Sequence, residues 1–437
     1  MHSRRLFLQH GMALLAATPT IPMFLDSTAM AFAGPGASAT QDSGKDGKIL
    51  VVVQLSGGND GLNTVIPHGD DAYHRARPVI GKAPNDVLKI DNYLGLHPNL
   101  SPLKNLFDNG QMSILQGVGY PNPNRSHFRS MDIWQTADPE SERATAGWLG
   151  RFFDSCCNGA DPKAQLDASA GVCIGDIQPL AMKGERFSSL SFERPDSFRY
   201  KGKSVDDYID LNKPTDSTKV STVEGSARRA SERGKLIANV TEGDQLNFLS
   251  RTALDAQASS DRILRATGAH NPGVNYPRGE FGEGLKTIAA MIRAELPTRV
   301  YYVSLGGFDT HANQQGRHDQ LMQQLAQGIG AFMEDLKAQK NDERVMVMTF
   351  SEFGRRVSQN ASGGTDHGAA APLFLFGSRL KQGVIGKHPS LTDLDSGDLK
   401  YSVDFRSIYA SLLQNWLDTP SKPILGKQFQ TFDLVRG

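Results

Sequence analysis

Acidic and imidazole side chains stand directly after several apolar runs of this 437-residue chain, each time among glycines. The run Ile49 to Leu55 leads into Ser56-Gly57-Gly58-Asn59-Asp60-Gly61. The run Val300 to Leu305 leads into Gly306-Gly307-Phe308-Asp309-Thr310-His311. The run Val345 to Phe350 leads into Ser351-Glu352-Phe353-Gly354-Arg355-Arg356, and Gly363-Gly364-Thr365-Asp366-His367-Gly368 follows shortly after. Carboxylate and imidazole donors suit a hard or borderline divalent cation such as zinc, manganese or magnesium. Glycine lets the backbone approach a ligand closely, and in extended chain Asp309 and His311 point the same way. The carboxylates of Asp60, Asp309 and Glu352, brought together without a cation, would repel one another. The expectation is a metal site built from Asp60, Asp309, His311, Glu352, Asp366 and His367.

A further segment, Pro121-Asn122-Pro123-Asn124-Arg125-Ser126-His127-Phe128-Arg129, follows the apolar run Met112 to Val118. Its prolines fix the loop, and a helix is expected to start near Ser126. A hydroxyl at a helix N-terminus lies beside free N–H groups and the positive end of the dipole, a place that favours anions. Ser126 is therefore either a helix cap or a group placed to meet an anionic ligand, with Arg125, His127 and Arg129 as further donors.

The elements that must position these residues are legible in the same way. Continuous apolar runs rich in β-branched residues suit strands buried on both faces of a parallel sheet. Besides those above, Pro372 to Phe376 is such a run. Between them, Phe281, Leu285, Ile288, Ile292 and Leu296 recur at helical spacing, as do Leu321, Leu325, Ile329, Phe332, Met333 and Leu336 within about His318 to Lys340. Helix then buried strand, repeated, predicts a doubly wound α/β fold with a mostly parallel sheet and helices on both faces. Ligands of such sheets bind beyond the carboxyl ends of the strands, where the acidic and imidazole residues fall. The polar stretch 184–269 breaks this rhythm and reads as an inserted helical cap, or else as peripheral structure of the same domain, between a first core part, 48–183, and a second, 270–437.

The N-terminus reads as a targeting segment. Ser3-Arg4-Arg5-Leu6-Phe7-Leu8 resembles the twin-arginine consensus. It precedes a modest apolar stretch from Met12 to Phe24 and the small-residue sites Ala29-Met30-Ala31 and Ala31-Phe32-Ala33. Residues 1–33 are thus expected to be a signal peptide and 34–47 a flexible linker. The apolar stretch is too short and too interrupted for a membrane span. The twin-arginine translocase would be a partner during export, and the mature chain would reside in the periplasm or outside the cell without a membrane span. Lys+Arg and Asp+Glu each count 47, so neither nucleic acid nor an anionic membrane surface is called for. The three cysteines, Cys156, Cys157 and Cys173, do not suggest a disulfide framework. No G-x-S-x-G elbow, Walker loop, G-x-G-x-x-G after a strand or C-x-x-C pair occurs, which removes the usual signatures of Ser-triad hydrolases, nucleotide handling and structural zinc.

Taken together, Gln54 to Thr64, Leu96-His97-Pro98, Arg125-Ser126-His127-Phe128, Gly307 to His311, Ser351 to Arg355 and Thr365 to Gly368 resemble the bacterial family catalogued as domain of unknown function 1501. That family is placed in the alkaline-phosphatase-like superfamily with sulfatases and phosphatases. The resemblance implies that fold and a divalent metal, zinc first, with manganese, magnesium or calcium as alternatives. It implies Asp60 as first ligand, Ser126 as nucleophile, Asp309 and His311 as a middle pair, Glu352 as a later acidic ligand and His367 as the final histidine. Asp309 and His311 stand closer in sequence than in alkaline phosphatases, Glu352-Phe353 replaces an Asp-His pair, and Ser126 lacks the Cys-x-Pro-x-Arg context of sulfatases. The implied activity is hydrolysis of a small phosphate or sulfate ester. Arg125, Arg129 or Arg355 would meet the anion, and His127 and His97 would serve as acid or base. The alternative is an exported binding or envelope-interaction protein on the same scaffold.

Overall fold

The computed structural model describes residues 47–156, 168–196 and 259–436. The expected signal peptide, nearly all of the linker and most of the stretch 184–269 lie outside the described residues. Among the described residues, nine strands form one sheet: β1 (Ile49–Ser56), β2 (Met112–Gly119), β3 (Gly171–Ile174), β4 (Leu190–Phe192), β5 (Val300–Gly306), β6 (Val345–Phe350), β7 (Ala371–Phe376), β8 (Gly383–Ile385) and β9 (Val403–Asp404). Their order is β8-β2-β7-β6-β1-β5-β3-β4, with β9 also paired to β2. Only β7 runs against its neighbours, so the sheet is mostly parallel as the alternation of elements predicted.

The helices that bear on the site and its scaffold are α1 (Ser101–Asp108), α2 (His127–Thr136), α3 (Trp148–Cys156), α4 (residues 259–269), α5 (Glu280–Arg293), α6 (Gln314–Ala338) and α7 (Phe405–Ser411). Strand β1 explains why they cover both faces. Ile49, Val51, Val53 and Leu55 join one core with Leu285 and Ile292 of α5 and Leu321, Leu325 and Ile329 of α6. Leu50 and Val52 join another with Phe152 of α3 and Ile408 and Tyr409 of α7. Each such side chain contributes about 1.5–3 kcal/mol by leaving water. The α/β class with helices on both faces is thus observed.

This topology decides where the loops go. Strands β6, β1 and β5 are parallel neighbours, with Ser56 opposite Gly306 and Gln54 opposite Phe350, so their carboxyl ends share one rim. Strand β2 is antiparallel to β7, which is antiparallel to β6, so β2 ends on that rim too and β7 starts there. Five chain segments therefore meet: the loops after β1, β2, β5 and β6, and the Gly363–Gly368 loop entering β7.

Candidate metal centre

Three imidazoles converge on Asp309 at this rim. His311 Nε2 lies 3.0 Å and His367 Nε2 3.3 Å from Asp309 Oδ1, and His127 Nε2 lies 3.5 Å from Asp309 Oδ2. His311 Nε2 and His367 Nε2 are 2.9 Å apart. Donor atoms about 2.0–2.1 Å from a tetrahedral zinc stand roughly 3.3 Å from one another, so these separations match the edges of a coordination polyhedron. Among the described residues, one group of histidine, cysteine and acidic side chains is compact enough to hold an ion: His127, Asp309 and His367. His311 adjoins it.

Each ring is held from behind. His127 Nδ1 is 2.9 Å from Glu352 Oε1, His367 Nδ1 is 2.7 Å from the Arg125 carbonyl, and His311 Nδ1 is 3.5 Å from Asp366 Oδ1. The Arg125 carbonyl can only accept, and Glu352 Oε1 already accepts from Gly57 N–H at 2.8 Å. Hence Nδ1–H of His127 and of His367 donates, and in the neutral ring each Nε2 is left to offer a lone pair to a cation. An outer carboxylate or carbonyl fixing tautomer and ring orientation is the usual surrounding of a metal-binding histidine. The side chain of Phe353 packs beneath, its ring centroid 4.9 Å from that of His127 and 4.5 Å from that of His367.

The residues fit a cation on a second ground. His127 Nε2 is buried and makes no hydrogen bond. It faces the Asp309 carboxylate at 3.5 Å, and in the neutral ring, whose proton is on Nδ1, the two are both acceptors. Such an arrangement costs free energy unless a positive charge joins it. Burial acts to raise the Asp309 pKa, but hydrogen bonds from Arg355 and His367 and the charges of Arg355 and His311 outweigh it and bring it down to about 2. Burial lowers the pKa of His367, against the Arg125 carbonyl and Asp309. The hydrogen bond from Asn360 is the largest cause that lowers Asp366. Nearly half of the Asp309 side chain remains exposed, which leaves the centre open to solvent.

Close backbone approach makes this convergence possible. Gly57 has φ +118°, and a Cβ there would lie 2.4 Å from Asp309 N; a Cβ on Gly364 would lie 2.2 Å from the His311 carbonyl carbon. The glycines flanking the acidic and imidazole residues thus let the β1, β5 and pre-β7 loops touch.

Several residues expected at the site stand elsewhere. Asp60 is fully buried, paired at 2.6 Å with Arg77 Nη1, and accepts from Gln314 Nε2. Burial works to raise its pKa, but Arg77 and its other partners hold it below the usual carboxylate value. Through Gln314, whose Oε1 accepts from Thr310 and Thr365, Asp60 ties together the two loops that carry Asp309–His311 and Asp366–His367. Glu352 and Asp366 sit behind His127 and His311 rather than among the converging atoms. Arg355 is fully buried, and its guanidinium is consumed by the carbonyls of Gly57, Gly58, Phe308 and Thr365 and by Asp309 at 2.8 Å. It orients Asp309, and with none of its side chain exposed it does not reach a substrate anion.

The Arg125 side chain pairs with Asp398, so its carbonyl, not its guanidinium, faces the centre. Arg129 binds the Ser141 and Pro139 carbonyls. His97 is fully buried with both ring nitrogens occupied, by Asp319 and by Asn99 N–H, and burial brings its pKa down to about 4. That leaves it no atom for proton transfer to a ligand at the rim. Asn59 lies in the interior beside Thr64 and His318. Ser126 is the exposed residue before α2, and its hydroxyl makes no cap bond. Arg77, Gln314 and Asn360, which complete the site's support, carried no local signal, because their roles depend on contacts across the chain.

Solved structures with remote likeness include a protein of the alkaline phosphatase superfamily from Vibrio parahaemolyticus, with 8% identity and a TM-score of 0.37, covering 92% of this chain and 77% of that one. Another is the C-terminal periplasmic domain of EcEptC from Escherichia coli in complex with Zn, with 9% identity, a TM-score of 0.35 and coverage of 79% and 77%. A third is a sulfatase from Pseudoalteromonas sp., with 10% identity, a TM-score of 0.35 and coverage of 94% and 74%. These scores are too low to carry an argument about activity. No curated protein matches the chain. The model of a family described as protein of unknown function, DUF1501, matches residues 47–417, and the chain belongs to that family.

Proposed function

We propose that this protein is a metal-dependent hydrolase of small phosphate or sulfate esters, exported by the twin-arginine translocase to the periplasm or beyond. One observation carries the reading: three imidazoles, each backed at Nδ1 by an oxygen, turn Nε2 toward a single half-exposed carboxylate, and His127 Nε2 there has no hydrogen-bond partner. His127, Asp309 and His367 would hold the ion, with His311 as a fourth donor and zinc as the foremost candidate. When bound, such a cation supplies Lewis-acid polarisation of the ester and a lowered pKa for the attacking oxygen.

The chain's own residues supply the rest. Glu352, Asp366 and the Arg125 carbonyl fix the rings, and Arg355 fixes Asp309. Ser126, exposed and adjacent in sequence to His127, offers a hydroxyl nucleophile at the start of α2, where the helix dipole favours the anionic group under attack. The test is a screen of phosphate and sulfate monoesters against the metal-loaded mature protein and its Ser126→Ala and Asp309→Ala variants. Turnover lost in both variants supports the proposal. Turnover that survives Ser126→Ala but not Asp309→Ala moves attack to water. A folded, metal-loaded protein inert toward every ester favours a binding role.

A further inference from the structure

Beside the metal centre the helical layer leaves part of the sheet uncovered. Strand β5 is interior to the sheet, with β1 on one side and β3 on the other, yet Ser304 and Gly306 are exposed. Side chains alternate along a strand, so both positions share the face of Tyr302, which is the face packed under α2, α3 and α7. A Cβ placed on Gly306 would meet nothing within 4 Å. The helices therefore stop short of the carboxyl end of β5, and an opening lies over it.

Helix α2 is one wall of this opening. Gln135 Nε2 donates to Gln54 Oε1 at 3.0 Å, and Gln54 stands opposite Ser304 across the β1–β5 ladder. Positions seven apart on a helix share a face, so Phe128 lies on the Gln135 face, two turns nearer the rim. Phe128 is 86% exposed, the most of any large hydrophobic side chain among the described residues. It follows His127 directly. The floor also adjoins the centre: Phe308 N–H donates to the Ser56 carbonyl at 3.1 Å, which seats the loop carrying Asp309 on the end of β1. The opening thus runs from Ser304 past Phe128 to the metal centre.

The polar groups along it identify a ligand chemistry. Gln54 Oε1 also accepts from Tyr302, and Gln54 Nε2 donates to Ser56 Oγ at 2.6 Å. Ser56 Oγ is thereby an acceptor toward the floor, and no group among the described residues takes its proton. Ser304 makes no side-chain hydrogen bond among the described residues. Asp132, one turn on from Phe128, is exposed and has no ion pair among them. None of these side chains is basic, so a second anionic group finds no partner here. Uncharged donors along a floor, a carboxylate acceptor and an aromatic face at the mouth match a ligand with hydroxyls at its edge and an apolar C–H face, which is a sugar ring.

We propose that this opening binds a neutral sugar ring, the alcohol part of an ester whose phosphate or sulfate group lies at the metal centre. Phe128 stacks on the ring, Ser56 and Ser304 donate to its hydroxyls, and Asp132 accepts from one. The link to an ester rests on the hydrolase reading above, whereas the sugar contact requires neither metal nor turnover.

The test is saturation-transfer NMR of the mature protein with methyl glucoside, methyl galactoside, methyl mannoside and N-acetylglucosamine, with cyclohexanol as the apolar control. At least one of these sugars should show transfer, and more than cyclohexanol does. Its affinity should fall about tenfold in Phe128→Ala, the upper end for an aromatic contact. Gly306→Leu, whose side chain enters open space without a clash, should abolish the signal while metal content stays at the wild-type level. Chelation and Asp309→Ala should leave sugar binding unchanged. Sugar binding without turnover of any ester supports the sugar site and refutes the hydrolase reading. Turnover of methyl phosphate as efficient as that of glucose 6-phosphate, with no transfer to any sugar, keeps the hydrolase and overturns the sugar site. Transfer that persists undiminished in Gly306→Leu, or that favours cyclohexanol, also overturns it.

Discussion

Replacing Asp60 by Asn separates a supporting role from a metal-binding one. The Asp60–Arg77 pair is 2.6 Å long, and neither side chain is exposed. Removing one charge of a buried pair costs about 3–5 kcal/mol, because the other is left uncompensated. Arg77 keeps the Val357 carbonyl at 2.8 Å and the Arg356 carbonyl at 2.9 Å, and an asparagine oxygen can still accept from Gln314. These residual bonds place the expected loss at the lower end, about 3 kcal/mol. The assay is urea unfolding of the chelated protein, since bound metal would add its own linkage term, with metal content of the folded variant measured in parallel. Asp60→Asn should be clearly less stable yet still bind metal at the wild-type stoichiometry. Adding Arg77→Met should recover part of the loss, because no unpaired charge then remains. An Asp60→Asn protein that keeps its stability but loses its metal would refute this reasoning and return Asp60 to the ligand set.

Other outcomes follow from the same geometry. Burial brings His97 down to about 4 and His318 to about 3, both below the ordinary value of about 6.5. Between pH 6.5 and those values the unfolded chain binds protons that the folded chain does not. Stability should therefore be full above pH 6.5 and fall on acidification, by up to about 2.7 kcal/mol per pH unit while both groups contribute. Urea unfolding at pH 7, 6 and 5 checks this, and a flat or rising profile contradicts it. Glu352→Gln should weaken metal affinity about 10–100-fold by loosening His127. Asp366→Asn should cost less, because its contact with His311 is 3.5 Å and exposed. Competition with a chelating dye measures both, and an Asp366 effect larger than that of Glu352 would reverse the assigned order of support.

The scaffold was legible in the sequence because its signals are local. An unbroken β-branched run such as Ile49 to Leu55 can hardly be anything but a strand buried on both faces, and the Leu321 to Leu336 stripe fixes one face of α6. The placement of Asp309, His311 and His367 was legible for a related reason: each lies within a few residues of a strand end, so the topology itself carries it to the rim. What could not be read is which side chain faces the centre and which stands behind it. Asp60 follows β1 as Asp309 follows β5, yet Arg77 and Gln314, distant in sequence, draw its carboxylate inward. Arg355 looks like an anion binder until the carbonyls of three separate loops are seen to take up its donors. His127 was expected to act as an acid or base because nothing near it in sequence reveals Glu352, which turns its Nε2 to Asp309. Such choices depend on partners brought together only by folding.

The most direct measurement is metal content by mass spectrometry of the mature protein, purified after incubation with zinc, alongside His127→Ala, Asp309→Ala and His367→Ala variants checked for native circular dichroism. At least one equivalent of metal in the wild type, lost in all three folded variants, is the predicted result. A wild-type protein that stays metal-free, or variants that retain the full complement, would contradict it.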